Sequence, residues 1–314
     1  MGVTILSRLL QSLAVLVAMS FVVYGLMGLM PGDPIDLMIA GNPHLNAADA
    51  VRLKALYGLD RPWTERWLRW LAQVGQGELG YSRLHARPVM AAMIPALVNT
   101  AILMASSLLL ALVVALPLGI LASLRPGSVL DRLVNLVSVA SVSLPVFWLG
   151  LMLIVVFAVE LAWLPAGGMA EVTGGGRLAH MILPVATLAL SGIGQYARHM
   201  RAAMIAEAGH GYIRTARAKG CSPARVVIRH QLRNALIPVT TIVALEVGGL
   251  FSGALITETV FAWPGMGRLI YEAVMGNDFN LALSGLLLAT AMTLVGSILA
   301  DIAYVRLDPR VRTP

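Results

Sequence analysis

The sequence has little charge and few residues of the kinds that build disulfide, metal or catalytic sites. Only 12% of its 314 residues are charged, whereas an ordinary soluble domain has about a quarter. Cys221 is the one cysteine, which excludes an internal disulfide. The six histidines are scattered without a close ligand spacing, and the HExxH pattern is absent. A soluble domain, a disulfide scaffold and a metal site are therefore all disfavoured.

The sequence also lacks the elements that bind nucleotides or carry out covalent catalysis. A P-loop needs a glycine-rich turn followed by Gly-Lys-Ser/Thr, and neither of the only two lysines, Lys54 and Lys219, has that context. There is no nucleophile elbow either. We therefore expect no catalytic, cofactor-binding or metal-binding residues in this chain. If it takes part in active transport, the energy must come from a partner or from an ion gradient.

What the sequence has instead is long apolar runs, with a mean hydropathy of +0.80. A helix needs about 20 apolar residues to cross the hydrocarbon core of a bilayer. Six windows qualify, namely 9–32, 88–124, 133–159, 178–197, 234–257 and 279–300. We expect an all-α integral membrane protein with six transmembrane helices. Its regions would be a first helix in 1–32, an extracytoplasmic segment with short amphipathic helices in 33–95, a five-helix core in 96–305, and a tail in 306–314.

The basic residues are concentrated in segments that six spans would place on one side of the membrane. Fourteen of the 23 fall near the N-terminus, between the second and third windows, between the fourth and fifth windows, and in the tail. The opposite short loops, near 160–180 and 258–280, are mostly acidic. This is the positive-inside pattern, so both termini are expected to be cytoplasmic. Because the position of these charges explains the net charge of +7, nucleic acid is not an expected partner.

Tryptophans recur on one helical face in the segment after the first window. Trp63, Trp67, Trp70 and Val74 are spaced at i, i+4, i+7 and i+11. Tryptophan favours the membrane interface, but the same stripe would also pack against a transmembrane helix. Both alternatives make this segment a surface-lying cap.

The segment between the fourth and fifth windows combines basic charge with strong helix-end signals. Helix formers extend to Lys219, Gly220 suits the position after a helix end, Ser222 is a good N-cap, and Pro223 suits the first helical position. On the second helix Arg225, Arg229 and Arg233 form a stripe beside a largely apolar face made of Ala224, Val227, Ile228, Gln231, Ala235 and Leu236. The basic residues could anchor the segment to anionic lipid. The pattern of two short helices joined by a glycine and a helix cap instead favours docking of a cytoplasmic partner.

Glu246 is the one acid deep within a predicted span. A charge at the bilayer centre costs about 2.5–3.5 kcal/mol on insertion scales, so it normally faces protein or a water-filled path. Three interpretations stay open: contact with a cationic part of a transported solute, a proton relay in an ion-coupled secondary transporter, and a structural carboxyl between helices. The nearby Gly249 and Gly253 allow a close helix approach, so we treat all three residues as candidates for a translocation pathway.

Several motifs, in order along nearly the whole chain, resemble the dipeptide, oligopeptide and nickel permease family of ATP-binding-cassette (ABC) importers. They are PGDP at 31–34, YGLDRPW at 57–63, GELGYS at 77–82, YIRTARAKG at 212–220, RHQLRNALIP at 229–238, ETVFAWPGMGRL at 258–269 and LDPRVR at 307–312. The resemblance implies that 206–234 is a coupling loop that docks onto a cytoplasmic ATPase. Its implied coupling residues are Tyr212, Arg214, Thr215, Ala216, Lys219, Gly220, Arg225, His230, Arg233, Asn234 and Pro238.

The same resemblance implies the partners and the role of the chain. It would be a permease subunit in a bacterial inner (plasma) membrane, paired with a second homologous permease chain and embedded in membrane lipid. Two cytoplasmic ABC ATPase subunits would bind ATP and Mg, and an extracytoplasmic binding protein would deliver the solute. Candidate contacts for that binding protein are Asp33, Trp263, Pro264 and Gly265. An ion-coupled secondary transporter that uses Glu246 is the alternative function.

The sequence departs from the family pattern at two places, and it does not name the solute. Gly211 stands where many members have an acid before the tyrosine, and GNDFNLALS at 276–284 replaces a run that usually contains arginine, aspartate, tyrosine and proline. Family solutes include peptides, glutathione, nickel and metal chelates. The short segment 160–180 resembles the nickel and glutathione types more than the longer dipeptide type.

Overall fold

A computed structural model of the chain describes residues 2–28, 61–169 and 176–307. Side chains are described over 7–28, 61–169, 176–244, 254–299 and 301–302. Within these ranges the chain is mostly helical, with one antiparallel hairpin of β1 (Tyr81–Ser82) and β2 (Arg87–Pro88), in which Tyr81 is opposite Pro88. The helices up to the third window are α1 (Gly2–Met27), α2 (Trp63–Gly75), α3 (Val89–Leu124), α4 (Val129–Ser143), α5 (Val146–Leu153) and a π-helix, π1 (Ile154–Glu160).

The second half continues the helical pattern. Its helices are α6 (Gly176–Ala208), α7 (Gly211–Ala218), α8 (Pro223–Arg225), the π-helix π2 (Val226–Gln231), α9 (Leu232–Gly253), α10 (Leu255–Val260), α11 (Met266–Met275) and α12 (Phe279–Leu307). By length and composition, four helices of the described residues could cross a membrane: Ser7–Met27, Val89–Leu124, Gly176–Ala208 and Phe279–Leu299. A bent pair, Val129–Ser143 with Val146–Glu160, makes a fifth if it is one span. Six spans and cytoplasmic termini therefore stay predictions.

The third apolar window differs from the continuous span that the sequence predicts. Its two helices, α4 and α5 with π1, meet at an angle of 103°. Leu144, between them, has an extended backbone with φ −88° and ψ 124°. Proline disfavours helical geometry in the residue before it and has no N–H to donate, so Pro145 ends α4 and begins a new helix direction.

The contacts divide the chain into two compact units. The first comprises Met1–Val98 and Gly265–Leu294, and the second comprises Asn99–Pro264 and Val295–Pro314. In the first unit α2 packs its tryptophan face on α1. The ring of Phe21 lies 4.8 Å from that of Trp63 and 5.2 Å from that of Trp67, and the indole N–H of Trp67 donates to Ser20 Oγ at 3.1 Å. The tryptophan stripe therefore packs on α1, a candidate span, as one of the two alternatives predicts.

The first unit also contains a buried carboxylate that the sequence predicts to be an exposed loop charge. Asp278 accepts hydrogen bonds from Ser82 Oγ at 2.6 Å and from the backbone N–H groups of Leu84 at 2.9 Å and Leu281 at 3.3 Å. It is buried because it caps α12 and holds the β-hairpin at once. The GNDF sequence at 276–279, where the chain departs from the family pattern, therefore has a structural role in this unit.

The second unit is organised around α6. Apolar side chains of α3, α4 and α9 pack on it, including Ala111, Val134, Ala235 and Val239. Two glycines mark close approaches. A Cβ added to Gly119 on α3 would lie 2.7 Å from Met200 Cβ, and one added to Gly194 on α6 would lie 2.6 Å from Ser138 Cα. Only a hydrogen atom fits at these two positions, so the helices adjoin through backbone.

Candidate functional site

The segment between α6 and α9 consists of two short helices joined by a tight turn at Gly220, as its sequence predicts. Gly220, just beyond the end of α7, has φ +78°. Its N–H donates to Arg217 O at 3.0 Å, and the N–H of Cys221 donates to Ala216 O at 3.2 Å. These two bonds are the 5→2 and 6→1 bonds of a Schellman motif. Ser222 then caps α8 by accepting from the N–H of Arg225 at 3.4 Å, and Pro223 begins that helix.

A small apolar cluster holds the turn together. Ile213, Ala216 and Val226 are buried against one another, with the half-buried Cys221 beside them. Since these side chains face inward, the other side of the segment is exposed. The exposed residues there include Arg214, Thr215, Lys219, Gly220, Arg225, Arg229 and Arg233. The segment therefore presents a basic surface on a fixed backbone.

The apolar face predicted beside the arginine stripe is only partly available to a partner. Ala224 is exposed and Ile228 is 65% exposed, but Gln231 and Ala235 are buried. The reason is that the side-chain amide of Gln231 donates to the backbone carbonyl of Met204 at 2.6 Å, while Ala235 packs with Met200 and Met204 on α6. That prediction was wrong for Gln231 and Ala235, which attach π2 and α9 to α6.

Polar side chains fix the near end of the segment to both long helices. The hydroxyl of Tyr212 donates to the carboxylate of Glu207, and the amide of Asn234 donates to the Tyr212 hydroxyl at 2.9 Å. Burial raises the pKa of Tyr212, and the hydrogen bond to Glu207 raises this pKa further. Tyr212 therefore stays protonated and can donate at neutral pH. Glu207 supplies a carboxylate beside Tyr212, although the sequence has Gly211 in the position just before it.

The other predicted coupling residues lie at different depths. His230 is half-buried in π2, and its backbone carbonyl accepts from Asn234 Nδ2 at 3.4 Å. Pro238 lies inside α9 and is exposed. All the predicted coupling residues except Pro238 thus lie within 206–234, with exposed basic side chains on the outside and Ala216 inside.

The predicted pathway residues belong to α9, at positions where the structure describes the backbone but not the side chains. This holds for Glu246, Gly249 and Gly253. Asp33, a predicted contact for a binding protein, lies outside the described residues altogether. Among the residues that the structure does describe, no three His, Cys, Asp or Glu side chains are grouped so that they could hold a metal ion.

Trp263, another predicted binding-protein contact, has no exposed surface. Its indole N–H donates to Asn99 O at 3.2 Å, and the side-chain amide of Asn99 donates to Pro264 O at 2.9 Å. Arg177 donates to Asn99 Oδ1 at 3.0 Å. These contacts make Trp263 a buried anchor for its loop, and its contact with a binding protein stays a prediction. Pro264 is half-buried, and Gly265 is buried at the start of α11.

Two polar groups in the second unit were missed by sequence reasoning. Glu258 is fully buried and accepts a hydrogen bond from the hydroxyl of Thr100, whereas the charge pattern predicts it in an exposed outer loop. Asp131 is buried and forms an ion pair with Arg201. The signal for Asp131 was the spacing Ser128-x-x-Asp131, a helix-start pattern. Ser128 indeed accepts from the N–H of Asp131 at 3.3 Å.

Comparison with known proteins identifies the family. Residues 115–313 match the family described as binding-protein-dependent transport system inner membrane component. The chain belongs to this family. It is 35% identical, over 99% of both chains, to the oligopeptide transport system permease protein AppB of Bacillus subtilis. It is 36% identical, over 92% of both chains, to the di/tripeptide transport system permease protein DppB of Pseudomonas aeruginosa.

A solved structure supports the fold. A chain of the inward-facing MetNI methionine ABC transporter matches with a TM-score of 0.56 at 19% identity, covering 70% of this chain and 97% of that chain. As a member of the family, this chain is a multi-pass inner-membrane permease subunit of a binding-protein-dependent ABC importer. The permease subunits to which it is related are not catalytic.

Proposed function

We propose that this chain forms half of the translocation pathway of a peptide importer and that residues 206–234 dock onto a cytoplasmic ATPase. The observation that carries the docking proposal is the Schellman turn at Gly220, which fixes Arg214, Lys219 and Arg225 on the outside of a compact helical segment. Lipid attraction alone requires basic charge but no fixed turn. A partner groove requires both, because recognition needs a constant shape.

We further propose the composition of the complex. A second permease chain completes the pathway, two ATPase subunits bind ATP and Mg, and an extracytoplasmic binding protein delivers the solute. The proposed topology has six spans with both termini in the cytoplasm. It divides the chain into the first helix (1–32), the extracytoplasmic segment (33–95), the permease core (96–305) and the tail (306–314). Glu246, Gly249 and Gly253 are the proposed pathway residues.

Peptides are the proposed solute class. The relatives described above are named as oligopeptide and di/tripeptide permeases, and their alignments cover 99% and 92% of this chain. The short 160–180 segment favoured nickel or glutathione, but it is one loop feature, whereas the similarity to peptide permeases extends over the whole chain. We therefore propose short peptides rather than nickel, metal chelates or glutathione.

The deciding experiment is purification of the chain from its native membrane in a mild detergent. The co-purifying proteins are identified by mass spectrometry, and the preparation is assayed for ATP hydrolysis. We expect two P-loop ATPases, a second permease chain and measurable ATPase activity. A lone chain that lacks ATPase activity, yet transports in gradient-energised vesicles, would contradict the proposal and favour the ion-coupled transporter that uses Glu246.

The solute class needs a separate measurement. The cognate binding protein is titrated with a panel of di-, tri- and tetrapeptides, oxidised and reduced glutathione, and Ni²⁺ with and without a chelator. We expect saturable binding of at least one peptide class. Binding of Ni²⁺ or glutathione alone would exclude the peptide proposal while leaving the coupling proposal intact.

A further inference from the structure

The ion pair between α4 and α6 lies at the end of α6 that leads into residues 206–234, which we call the coupling segment after their proposed role. Arg201 on α6 donates from Nε to Asp131 Oδ1 and from Nη2 to Asp131 Oδ2, the latter at 2.9 Å. The N–H of Gly127 donates to Oδ2 of the same carboxylate at 2.8 Å. The Asn135 amide adds a weaker bond to Oδ1 at 3.4 Å. Asp131 is thus held by two arginine donors and by the backbone of its own loop.

The geometry of this pair suits a fixed orientation rather than a gain in stability. A guanidinium that binds both oxygens of a carboxylate sets angle as well as distance, which a lysine cannot do. The Asp131 side chain is buried and that of Arg201 is 23% exposed, so lost hydration offsets much of the attraction between the two charges. The apolar side chains of Leu130, Val134, Ile193 and Ala197 already pack α4 against α6. What the pair adds is a constant register between the two helices.

The position of the pair on α6 connects it to the coupling segment. One turn beyond Arg201, the carbonyl of Met204 accepts from the buried amide of Gln231. Glu207 follows, and it receives the hydroxyl of Tyr212 in the segment itself. The last two turns of α6 therefore hold the coupling segment on one side and α4 on the other.

We propose that the Asp131–Arg201 ion pair is a positioning pair that carries movement of the coupling segment from α6 to α4. Without it, α6 and α9 would follow the docked ATPase, while α4 and the 103° bend beyond it would lag behind. The proposal rests on the proposed function, since it assumes that residues 206–234 receive movement from an ATPase.

The first test is a double-mutant cycle in the assembled importer reconstituted into liposomes. ATPase activity is measured for Asp131→Asn, Arg201→Gln and the double variant. Activity without the cognate binding protein is the basal activity, and the increase on adding the purified binding protein is the stimulation. Coupling energies of this kind correspond to about a 2- to 30-fold change. Each single variant is expected to lose stimulation by such a factor with basal activity retained, and the double variant to be no worse than either single one.

Two further variants separate positioning from simple structural damage. Arg201→Lys keeps the charge without the two-point contact, so it should retain only part of the stimulation. Arg198→Gln is the matched control, because Arg198 is an exposed arginine on the same helix, and it should behave as wild type. Additive losses in the cycle, or equal loss of basal activity and of complex yield in every pair variant, would overturn the positioning role.

A distance measurement reports the movement directly. Spin labels are placed at Leu136→Cys on α4 and Ile205→Cys on α6, both exposed, in a Cys221→Ser background. With the pair intact, the distance between the labels should be unchanged by ATP, and in Asp131→Asn it should shift or broaden. An unchanged distance in Asp131→Asn would overturn this proposal alone. A wild-type complex without any ATPase would overturn the proposed function, and this proposal with it.

Discussion

Glycine has different roles in two regions of the second unit, the helix contacts of α6 and the turn at Gly220. In the helix contacts of α6, a Cβ on Gly194 would lie 2.6 Å from Ser138 Cα and 2.8 Å from Val137 O. In the coupling segment, nothing lies within 4 Å of a Cβ on Gly220, yet its φ is +78°. The first glycine is needed for space and the second for backbone conformation. Different substitutions should therefore disrupt the α6 contacts and the turn at Gly220.

This difference separates packing between helices from the backbone conformation of an exposed turn. Backbone atoms on the neighbouring helix cannot move aside for a side chain without separating the helices. An exposed turn in the left-handed region can accept a side chain at the cost of strain, and asparagine tolerates that region better than alanine does. Substitution of Gly194 should thus destabilise the whole second unit, while substitution of Gly220 should destabilise only the turn of the coupling segment.

The largest effect is expected for Gly194→Ala. Overpacking of a close contact costs about 1–3 kcal/mol, and here the opposing atoms include backbone on α4. We expect a lower thermal unfolding midpoint of the purified chain and loss of transport in the complex. Gly192→Ala is the matched control on the same helix, because its new Cβ would meet mainly the Tyr196 ring, at 3.0 Å. Equal losses in both variants would show that space at the α4 contact is not the reason.

Gly220→Ala should have a smaller and local effect. A left-handed conformation costs a residue with a Cβ about 1–2 kcal/mol. Cys221, the single cysteine and half-buried beside the turn, reports opening of the turn through the rate of maleimide labelling. The strain corresponds to labelling that is about 5- to 30-fold faster, with less co-purifying ATPase.

Two controls test whether backbone conformation is the cause. Gly220→Asn should label more slowly than Gly220→Ala, because asparagine tolerates the left-handed region. Gly211→Ala also has open space around its Cβ, but Gly211 begins α7, so its labelling should match wild type. If Gly211→Ala and Gly220→Ala behaved alike, the contrast between space and conformation would fail.

The next effect in size is that of the helix cap at Ser222. Replacing a capping serine by alanine costs about 1 kcal/mol, which corresponds to about fivefold faster labelling of Cys221. Ser222→Asp keeps an acceptor for the N–H of Arg225 and should restore the wild-type rate. A normal rate in Ser222→Ala would mean that the Schellman bonds alone hold the turn.

Local signals explain why the turn at Gly220 could be predicted from sequence. The glycine, the N-cap serine and the proline each act within a few residues, so Gly220, Ser222 and Pro223 specify the turn without reference to the rest of the fold. The second apolar window was equally readable, since α3 begins and ends within one residue of its predicted bounds. Burial of Gln231 and Ala235 was not readable, because it depends on where α6 lies beside π2 and α9.

Long-range partners account for the remaining differences. Glu258 and Thr100 are 158 residues apart in the chain, and Asp278 and Ser82 are 196 apart. Nothing in the local sequence indicates that these acids meet hydroxyl donors, so their charge predicted exposed loops. Pro145 did carry a local signal for a break, but its neighbours are apolar enough to read as one continuous span.

The smallest effect is expected for Tyr212→Phe, and it carries a pH dependence. The hydroxyl bridges Glu207 and Asn234, and at a partly exposed site a hydrogen bond is worth about 0.5 kcal/mol, which corresponds to about twofold faster labelling of Cys221. The pH dependence follows from the pKa of Tyr212. Burial raises this pKa above its usual 10.0, so the phenol of the folded segment loses its proton at a higher pH than the phenol of the unfolded segment. The stabilisation is therefore complete below pH 10 and is lost as the pH rises through the folded-state pKa. The ratio of variant to wild-type labelling rates, each pair measured at one pH, should stay constant from pH 7 to 9 and fall towards one above pH 10. A ratio that grows with pH would mean that the ionised phenolate is the form that the segment binds.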